Sequence, residues 1–444
     1  MAEYAMFWGC QIPSRLPFVE KSVRLVFDRL GMTFVELPGF TCCPEKEMFM
    51  TADEHLWLLS AARNLALVER EGLGILSPCN GCWNTFRTAM AMLQSRPDLK
   101  ANVNRQLAEI GLEYKGTIKA KHFLQFCYED LGTTKIKSLV KAPLTGMRLA
   151  THNGCHLVRP SSVLNFDDPL HPTKFDALVE ALGARSVDYK SKMACCGQSF
   201  NAADQPEMST TQASDKLSEL TKLGVDALTT NCPACFIQYD FRQVVMRRRG
   251  DAINMPVLYY SELLGLAMGI DKSEFGFDQH KTEVAPFFET WEKRKQKRVA
   301  LDEIFDLPAL RKCHECGACV NDCPVVRLQP HWNPNTMIGR VLAGDLEEVM
   351  ASKDIWQCID CYLCLELCPQ KFGMRQFFET MKQLVLERQD EGSPAGLKNA
   401  INAFMRTGRL VEPSEMQRKK LGLPAGAKAD CQNFLELIES LKHR

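Results

Sequence analysis

The sequence has few of the features that direct a chain to a membrane or to a nucleic acid. Its 54 Lys and Arg residues balance 54 Asp and Glu residues, so it lacks the basic excess of nucleic-acid-binding proteins. The most apolar stretch, residues 257–270, is shorter than the roughly 18 residues of a membrane span and includes Glu262. The first residues show no basic segment followed by an apolar core. We therefore expect a cytoplasmic protein with no membrane span and no nucleic-acid partner.

Glycine-rich nucleotide-binding loops are also missing. Neither GxGxxG after a strand nor the GxxxxGKS or GxxxxGKT loop occurs in the sequence. The sequence therefore predicts no flavin or nucleotide site, and electrons that the protein uses must come from another protein.

Cysteine, in contrast, is abundant, with 20 residues. A protein without an export signal is expected in a reducing compartment, where clustered cysteines bind metal more often than they form disulfides. The spacing of these cysteines therefore carries the functional information.

Ten cysteines form two sets with almost the same spacing. Each set has a single Cys, an adjacent pair, and a C-x2-C motif that follows the pair after 35 intervening residues. The first set is Cys10, Cys42, Cys43, Cys79 and Cys82, and the second is Cys155, Cys195, Cys196, Cys232 and Cys235. The shared pattern indicates an internal duplication.

The segments around both sets alternate between strand and helix patterns. Strand-like runs are residues 33–37, 73–76, 186–189 and 227–230, and helical patterns are residues 17–30, 55–71, 173–182 and 209–223. This alternation favours duplicated α/β domains, each a parallel sheet with flanking helices. The single cysteines and the C-x2-C pairs follow strands, at the sheet edge where ligands bind in such folds.

The end of the chain carries two further motifs of the form C-x2-C-x2-C-x3-C-P, typical of two-cluster ferredoxins. On that pattern Cys313, Cys316, Cys319 and Cys368 bind one cubane [4Fe–4S] cluster, and Cys358, Cys361, Cys364 and Cys323 bind the second. Helical spacing at residues 337–352 and 374–388 predicts a mostly α-helical ferredoxin-like domain. The predicted domains are thus residues 1–145, 146–284 and 285–444.

The two five-cysteine sets leave three alternatives open. A cubane cluster uses four thiolates, so each set could bind a cluster with all five thiolates, a cubane with one spare cysteine, or zinc. Adjacent cysteines do not readily form a disulfide with each other, but they can bind neighbouring irons if the backbone turns there. Pro44 and Gly197, which follow the two pairs, both suit a turn.

The two repeats resemble the CCG-domain family, and most closely the B subunit of heterodisulfide reductase. The end of the chain resembles the C subunit of the same enzyme, so the chain looks like a fusion of the two, with the B-like part first. The resemblance implies that each five-cysteine set binds a noncubane [4Fe–4S] cluster. It also implies that a small-molecule disulfide is split between these two clusters, which makes their ten cysteines the catalytic centre.

The resemblance further implies partners. Electrons would come from a flavin- and iron–sulfur-containing protein similar to the A subunit of heterodisulfide reductase, through the two cubanes, in an enzyme capable of flavin-based electron bifurcation. A hydrogenase, a formate dehydrogenase or another terminal oxidoreductase would be further partners. The alternative is a non-catalytic electron-transfer subunit that links a bifurcating flavin subunit to a different terminal oxidoreductase.

Two features depart from the family pattern. The first pair is followed by Pro44 rather than glycine, which puts the equivalence of the two sites in doubt. The fusion also differs from the separate subunits of the best-known complexes.

Several residues near the motifs, or outside them, have structural interpretations. We expect Cys127 and Cys431, which match no motif, to be inert thiols. His152 and His156 flank Cys155; a proton-donating role is conceivable, but local packing or hydrogen bonding is the preferred interpretation. Aromatic residues after the two C-x2-C motifs could form a wall over a cluster or pack in the core; they are Trp83, Phe86, Phe236 and Tyr239.

Overall fold

The computed structural model describes residues 3–369, 372, 374–387, 393–411 and 413–426, together with residues 433, 434, 436 and 437. The chain forms two compact units, Met1–Lys295 and Gln296–Arg444. The division falls inside the helix Ala285–Ile304. The domain boundaries expected at 145/146 and 284/285 stay predictions. Among the described residues, every helix is too short or too polar to cross a lipid bilayer.

The first repeat is built on a small parallel sheet. Its strands are β1 (Tyr4–Met6), β2 (Gly74–Ser77) and β3 (Ala120–His122), in the order β1-β2-β3. A single parallel bridge joins Val35 to Ala5 on the outer side of β1. The α-helices of this repeat are Gln11–Arg15, Pro17–Leu30, Glu54–Arg70, Asn80–Ser95, Pro97–Ala108, Phe123–Gln125 and Thr133–Leu139, and two π-helical turns are Lys46–Met50 and Phe126–Leu131.

The second repeat has the same strand order, with a short strand, β5 (Arg185–Ser186), at the place of the Val35 bridge. Its strands are β4 (Arg148–His152), β5 (Arg185–Ser186), β6 (Ala227–Thr230) and β7 (Val257–Tyr259), all parallel, in the order β5-β4-β6-β7. The α-helices are Cys155–Val158, Ser161–Leu164, Lys174–Ala181, Gln198–Ala202, Pro206–Lys222, Pro233–Asp240, Arg242–Arg248 and Tyr260–Ala267, with 3-10 turns at Lys272–Glu274 and Phe277–Gln279.

Local sequence explains the best-predicted elements. The helix Pro17–Leu30 begins with proline, whose fixed φ suits the first helical position, and ends at Gly31, which adopts the left-handed conformation with φ +65°. Asp53 caps the helix Glu54–Arg70 by accepting a hydrogen bond from the Leu56 amide at 2.9 Å. All four residues of β6 are buried, as expected for a parallel strand covered on both faces.

The predicted α/β fold class is confirmed, although several strands are shorter than expected. Residues 33–37 contribute only the bridge at Val35, and the expected strand at 186–189 is reduced to β5. β3 and β7 were not predicted, because three-residue strands leave too little periodicity to recognise. The two repeats also share hydrophobic core and pack against each other, with Ser22 and Ser261 joined by a 2.6 Å hydrogen bond.

The described part of the second unit is helical and contains no strand. A single helix was expected over residues 337–352, but the chain turns at Gly344, with φ +101°, and forms two helices. The predicted helix at 374–388 is observed at Met374–Glu387, and residue 388 lies outside the described residues. The remaining α-helices are Leu307–Cys316, Pro324–Leu328, Pro334–Leu342, Leu346–Ala351, Leu363–Glu366, Ala395–Thr407 and Glu415–Lys420, with a 3-10 turn at Lys353–Gln357.

Candidate metal centres

One cavity of about 600 Å³ in the first unit collects both five-cysteine sets. Its lining contains all ten of these cysteines. The rest of the lining is mixed: Trp8 and Ile237 are apolar, while Arg15, Glu45 and Gln198 are polar or charged. The sets are far apart in the sequence, so their convergence on a single cavity is a product of the tertiary fold.

The sheets place the cysteines in equivalent positions in the two repeats. Cys10 follows β1, and Cys155 follows β4 and begins a short helix. Cys79 and Cys232 are the N-caps of the helices Asn80–Ser95 and Pro233–Asp240. At Cys232, hydrogen bonds from the Cys235 and Cys79 thiols and from backbone amides lower the pKa, whereas hydrogen bonding with Cys232 and burial raise the pKa of Cys79. The expectation that these thiols lie at the carboxyl edge of each sheet agrees with their positions.

A glycine before the first cysteine of each set leaves room for the thiols. Gly9 and Gly154 adopt φ +70° and +73°, a conformation that disfavours any residue with a side chain. A β-carbon on Gly9 would lie 2.7 Å from the Cys82 Sγ, and one on Gly154 would lie 2.5 Å from the Asn80 Nδ2. Sequence reasoning missed these two residues, although the Gly-Cys dipeptide occurs at the same place in both repeats.

The thiols of each set interact in the same order. In the first set each thiol contacts the next in the order Cys10, Cys42, Cys43, Cys82, Cys79. In the second set the order of successive contacts is Cys155, Cys195, Cys196, Cys235, Cys232. A contact between the Cys79 and Cys232 thiols joins the two sets across the repeats.

This crowding separates the pKa values of neighbouring thiols. Hydrogen bonds from the Cys42 and Cys82 thiols lower the pKa of Cys43 to about 5. Hydrogen bonding to Cys43 and burial raise the pKa of Cys82 well above its usual value. Only some of the ten thiols can therefore ionise together unless a cation is bound among them, as in a metal centre.

Hydrogen bonds between the repeats hold the two halves of the cavity together. The Asn80 side chain, inside the first C-x2-C motif, donates to the Asn153 carbonyl at 2.8 Å. The Asn84 side chain donates to the His156 carbonyl at 3.2 Å and to the Arg159 carbonyl at 3.0 Å. These bonds attach the helix after the first C-x2-C motif to the loop that carries Cys155.

A buried polar group lies behind the second cysteine pair. The Lys216 ammonium donates to the Lys192 and Ala194 carbonyls at 3.2 and 3.0 Å and lies 3.1 Å from the His152 Nδ1. Burial lowers the pKa of Lys216 to about 8 and that of His152 well below its usual value. A ring nitrogen of His152 and the Sγ atoms of Cys196 and Cys235 lie within 4.8 Å of one another. The sequence drew attention to His152 but not to Lys216.

The aromatic residues considered as a possible wall are buried behind the cysteines and do not line the cavity itself. Trp83 and Phe86 belong to one hydrophobic core cluster and Phe236 and Tyr239 to another, and both clusters contain residues from the two repeats. Trp8 lines the cavity instead. Cys127 is fully buried in the core, and Cys431 lies outside the described residues.

The tail cysteines surround two small cavities of about 40 and 20 Å³ in the second unit. The larger is lined by Cys323, Cys358, Cys361 and Cys364 and also by Cys319. The smaller is lined by Cys313, Cys316, Cys319 and Cys368 and also by Cys364. Each predicted crossed set of four is thus brought together. His314, inside the first motif, is instead hydrogen-bonded to the Asn335 side chain at 2.7 Å.

Two family models match the chain at the cysteine motifs. A cysteine-rich domain, CCG, matches residues 4–87 and 149–240, and a 4Fe-4S dicluster domain matches residues 309–372. The two matches support iron–sulfur clusters as the cofactors of this chain.

Known proteins resemble the two parts separately. The B subunit of the ferredoxin/F(420)H(2)-dependent CoB-CoM heterodisulfide reductase of Methanosarcina acetivorans is 42% identical over 286 residues, which are 63% of this chain and 94% of the relative. The iron-sulfur C 2 subunit of the CoB--CoM heterodisulfide reductase of Methanocaldococcus jannaschii is 30% identical over 145 residues, 30% of this chain and 75% of the relative.

The fold also occurs in a crystal structure of a hypothetical protein from Helicobacter pylori. That structure aligns with a TM-score of 0.51 and 17% identity over 63% of this chain and 52% of its own. The family matches and the relatives agree with the resemblance found in the motifs. The chain belongs to the heterodisulfide reductase family, as a fusion of a B-subunit part and a C-subunit part.

Proposed function

We propose that this chain is the disulfide-reducing iron–sulfur subunit of a heterodisulfide-reductase-like complex. The observation that carries the proposal is the single cavity of about 600 Å³ that is lined by both five-cysteine sets. Its volume falls in the range of about 300–1,000 Å³ that is typical of small-molecule sites. A small disulfide could therefore face both sets at once.

The residues fit iron–sulfur groups. Every candidate ligand in the two sets is a thiol, the soft donor that such clusters prefer. Gly9 and Gly154 keep the space beside the thiols free of side chains. We assign Cys10, Cys42, Cys43, Cys79 and Cys82 to one noncubane [4Fe–4S] cluster and Cys155, Cys195, Cys196, Cys232 and Cys235 to another.

The reaction breaks one S–S bond and forms two S–H bonds, and it consumes two electrons and two protons per disulfide. When bound by the two five-cysteine sets, the two noncubane clusters would supply these electrons. A flavin-containing iron–sulfur partner is the proposed source of the electrons, and the eight tail cysteines would hold the two cubane clusters that connect it. Water at the polar part of the cavity supplies the protons.

The chain's own residues orient the substrate and limit water. Trp8 and Ile237 provide apolar surface next to the thiols, which disfavours water there. Arg15, Gln11 and Gln198 offer hydrogen-bond donors that could hold the polar ends of a disulfide. The bonds from Asn80 and Asn84 fix the separation of the two cysteine sets.

Metal analysis is the first test. Anaerobically purified protein should contain about sixteen irons with matching sulfide, because four clusters of four irons are expected. Adding a substrate thiol to the oxidised protein should then produce a new electron paramagnetic resonance signal. The Cys127→Ala variant is the matched control, because this buried thiol lies in the core, and it should keep all of its iron.

The outcomes separate the possible functions. About eight irons, with zinc or no metal in the two repeats, would contradict the proposal. About sixteen irons with a spectrum that no thiol changes would favour the alternative, an electron-transfer subunit that serves a different terminal oxidoreductase.

A further inference from the structure

The two five-cysteine pockets share a plan but differ in the residues that surround them. Phe7 and His152 each lie three residues before the first cysteine of their set. Phe86 and Tyr239 each lie four residues after the last. The rings form the same T-shaped pair in both pockets, with centroids 4.8 Å apart at 85° for Phe7 and Phe86 and 4.9 Å apart at 81° for His152 and Tyr239. These residues therefore occupy equivalent places.

A second equivalent place lies behind each cysteine pair. Asn64, fully buried, donates from its side chain to the Thr41 carbonyl at 3.2 Å and to the Cys42 carbonyl at 3.3 Å. In the second repeat Lys216, also fully buried, donates to the carbonyls of Lys192 and Ala194, and Ala194 matches Thr41 as the residue before the cysteine pair. Arg63 is the residue that matches Lys216 in sequence spacing; it donates to the Gly39 carbonyl at 2.8 Å, but it is only partly buried. The fully buried group behind the first cysteine pair is thus a neutral amide, whereas the one behind the second pair is an ammonium.

The surroundings of Lys216 suit a cation. Its Nζ lies 5.5 Å from the centroid of the Tyr189 ring and 5.8 Å from that of Tyr239, within the range of a cation–π interaction. The two carbonyls and the His152 Nδ1 provide one acceptor for each of its three protons. The thiolates of Cys235 and Cys196 are the negative groups that act on it most strongly.

Lys216 also fixes the tautomer of His152. An ammonium can only donate, so the His152 Nδ1 must accept and the ring proton must be on Nε2. This buried Nε2 has no hydrogen-bond partner among the described residues. A ring nitrogen of His152 lies within 4.8 Å of the Cys196 and Cys235 sulfurs, so the ring that carries this unused N–H lies beside the group that these thiolates are proposed to bind.

We propose that Lys216 and His152 make the second pocket the more easily reduced of the two, so that the first electron to enter the pair resides there. This rests on the proposed assignment of one cluster to each five-cysteine set. Adding an electron adds negative charge, which a nearby ammonium and an N–H donor to sulfur stabilise. The first pocket has Asn64 and Phe7 instead, so the same electron is less stabilised there. Both residues are positioning residues, because they act through the thiolates.

Variants that copy the first repeat into the second provide the test. We would make Lys216→Asn, after Asn64, and His152→Phe, after Phe7, in the full chain with its clusters. Lys222→Asn is the matched control, because it removes the same charge from an exposed position on the same helix. The measurement is a redox titration followed by electron paramagnetic resonance, with dithionite as the reductant. Cys155→Ala and Cys10→Ala assign each signal to a pocket.

Lys216→Asn should lower the equilibrium constant for one-electron reduction of the second-pocket cluster about tenfold or more, which corresponds to about 59 mV. His152→Phe should shift it in the same direction by less, and Lys222→Asn should leave it unchanged. The first-pocket signal should stay in place in all three variants. A shift of both clusters together, or equal potentials in the unaltered protein, would overturn the proposal.

Iron content separates this inference from the proposed function. About sixteen irons with unshifted potentials in Lys216→Asn and His152→Phe would refute the inference and leave the disulfide-reducing function standing. About eight irons in the unaltered protein would refute the function itself. If Lys216→Asn loses its second-pocket iron, the titration of His152→Phe decides, because phenylalanine already occupies the equivalent place in the first repeat.

Discussion

The two units of this protein gather cysteines around two different kinds of cavity. In the first unit ten thiols line one cavity of about 600 Å³, whereas in the second unit eight thiols line cavities of about 40 and 20 Å³. The tail pockets have little room for anything besides a compact cluster. For the proposed metal centres, the difference teaches that the shape of the space around the thiols, more than the thiols themselves, would decide whether a substrate reaches the metal.

Removing one cysteine from each unit in turn should have the largest effect on disulfide reduction, and the effect should differ between the units. Cys232→Ala should abolish disulfide reduction with every electron donor and remove about four irons. Cys361→Ala should also remove about four irons, yet it should keep disulfide reduction driven by a small chemical reductant and lose reduction driven by a protein donor. Rates with both kinds of donor, with iron counts, would check this. Retained reduction by Cys232→Ala would break the comparison.

Substituting a crowded glycine should show whether cluster binding depends on the shape of the large cavity or only on backbone strain. Gly154→Ala and Gly224→Ala both place a side chain at positive φ, at a cost of about 1–2 kcal/mol. Only at Gly154 would the new β-carbon clash, 2.5 Å from the Asn80 Nδ2, while Gly224 has open space around it.

Gly154→Ala should therefore lose the iron of the second pocket, about four atoms per chain, and keep the tail clusters. Gly224→Ala should keep all of its iron and show only the lowered melting temperature. The measurement is iron per chain together with thermal unfolding. Equal iron loss in both variants would mean that strain, rather than the shape of the cavity, controls cluster binding.

A smaller effect, on how the stability of the first unit depends on pH, is expected from the buried pair of His280 and Glu262. Burial alone would lower the pKa of His280, but the Glu262 carboxylate, 3.0 Å away, outweighs it and raises the pKa above its usual value. A raised folded-state pKa stabilises the protein fully below the unfolded value of about 6.5. That stabilisation is lost as the pH rises through the folded-state pKa.

Hydrogen exchange would measure this loss of stability separately in each unit. Going from pH 6 to pH 8, residues 257–267 should lose more protection in the unaltered protein than in His280→Gln. Residues 374–387 of the tail should not differ between the two proteins. A matching change in the tail would show that the unfolding of the two units is coupled.

Much of the fold and of the site could be predicted from spacing alone. The helix at 17–30 and the strand at 227–230 have the predicted bounds, because proline, glycine and buried apolar residues set local conformation directly. The crossed grouping of the tail cysteines also agrees with the two small cavities. Close spacing in sequence restricts which thiols can reach one metal, so it is readable without a structure.

Other features depend on residues that are distant in the sequence. β3 and β7 are too short to leave a pattern, and the bond from Asn80 to the Asn153 carbonyl joins residues 73 positions apart. Lys216 appears in the sequence as one charge among many on an amphipathic helix. Its burial behind the second cysteine pair is visible only once that helix has packed on the sheet.

The sequence by itself determined that this protein has two matched five-thiol sets and two ferredoxin-type motifs, since short-range spacing limits what each thiol can bind. Only the tertiary structure decided that the two sets face one cavity and that Lys216 and His152 lie beside the second set. The physical reason is that the positions of buried polar groups and empty space result from packing between distant segments, which no local pattern records.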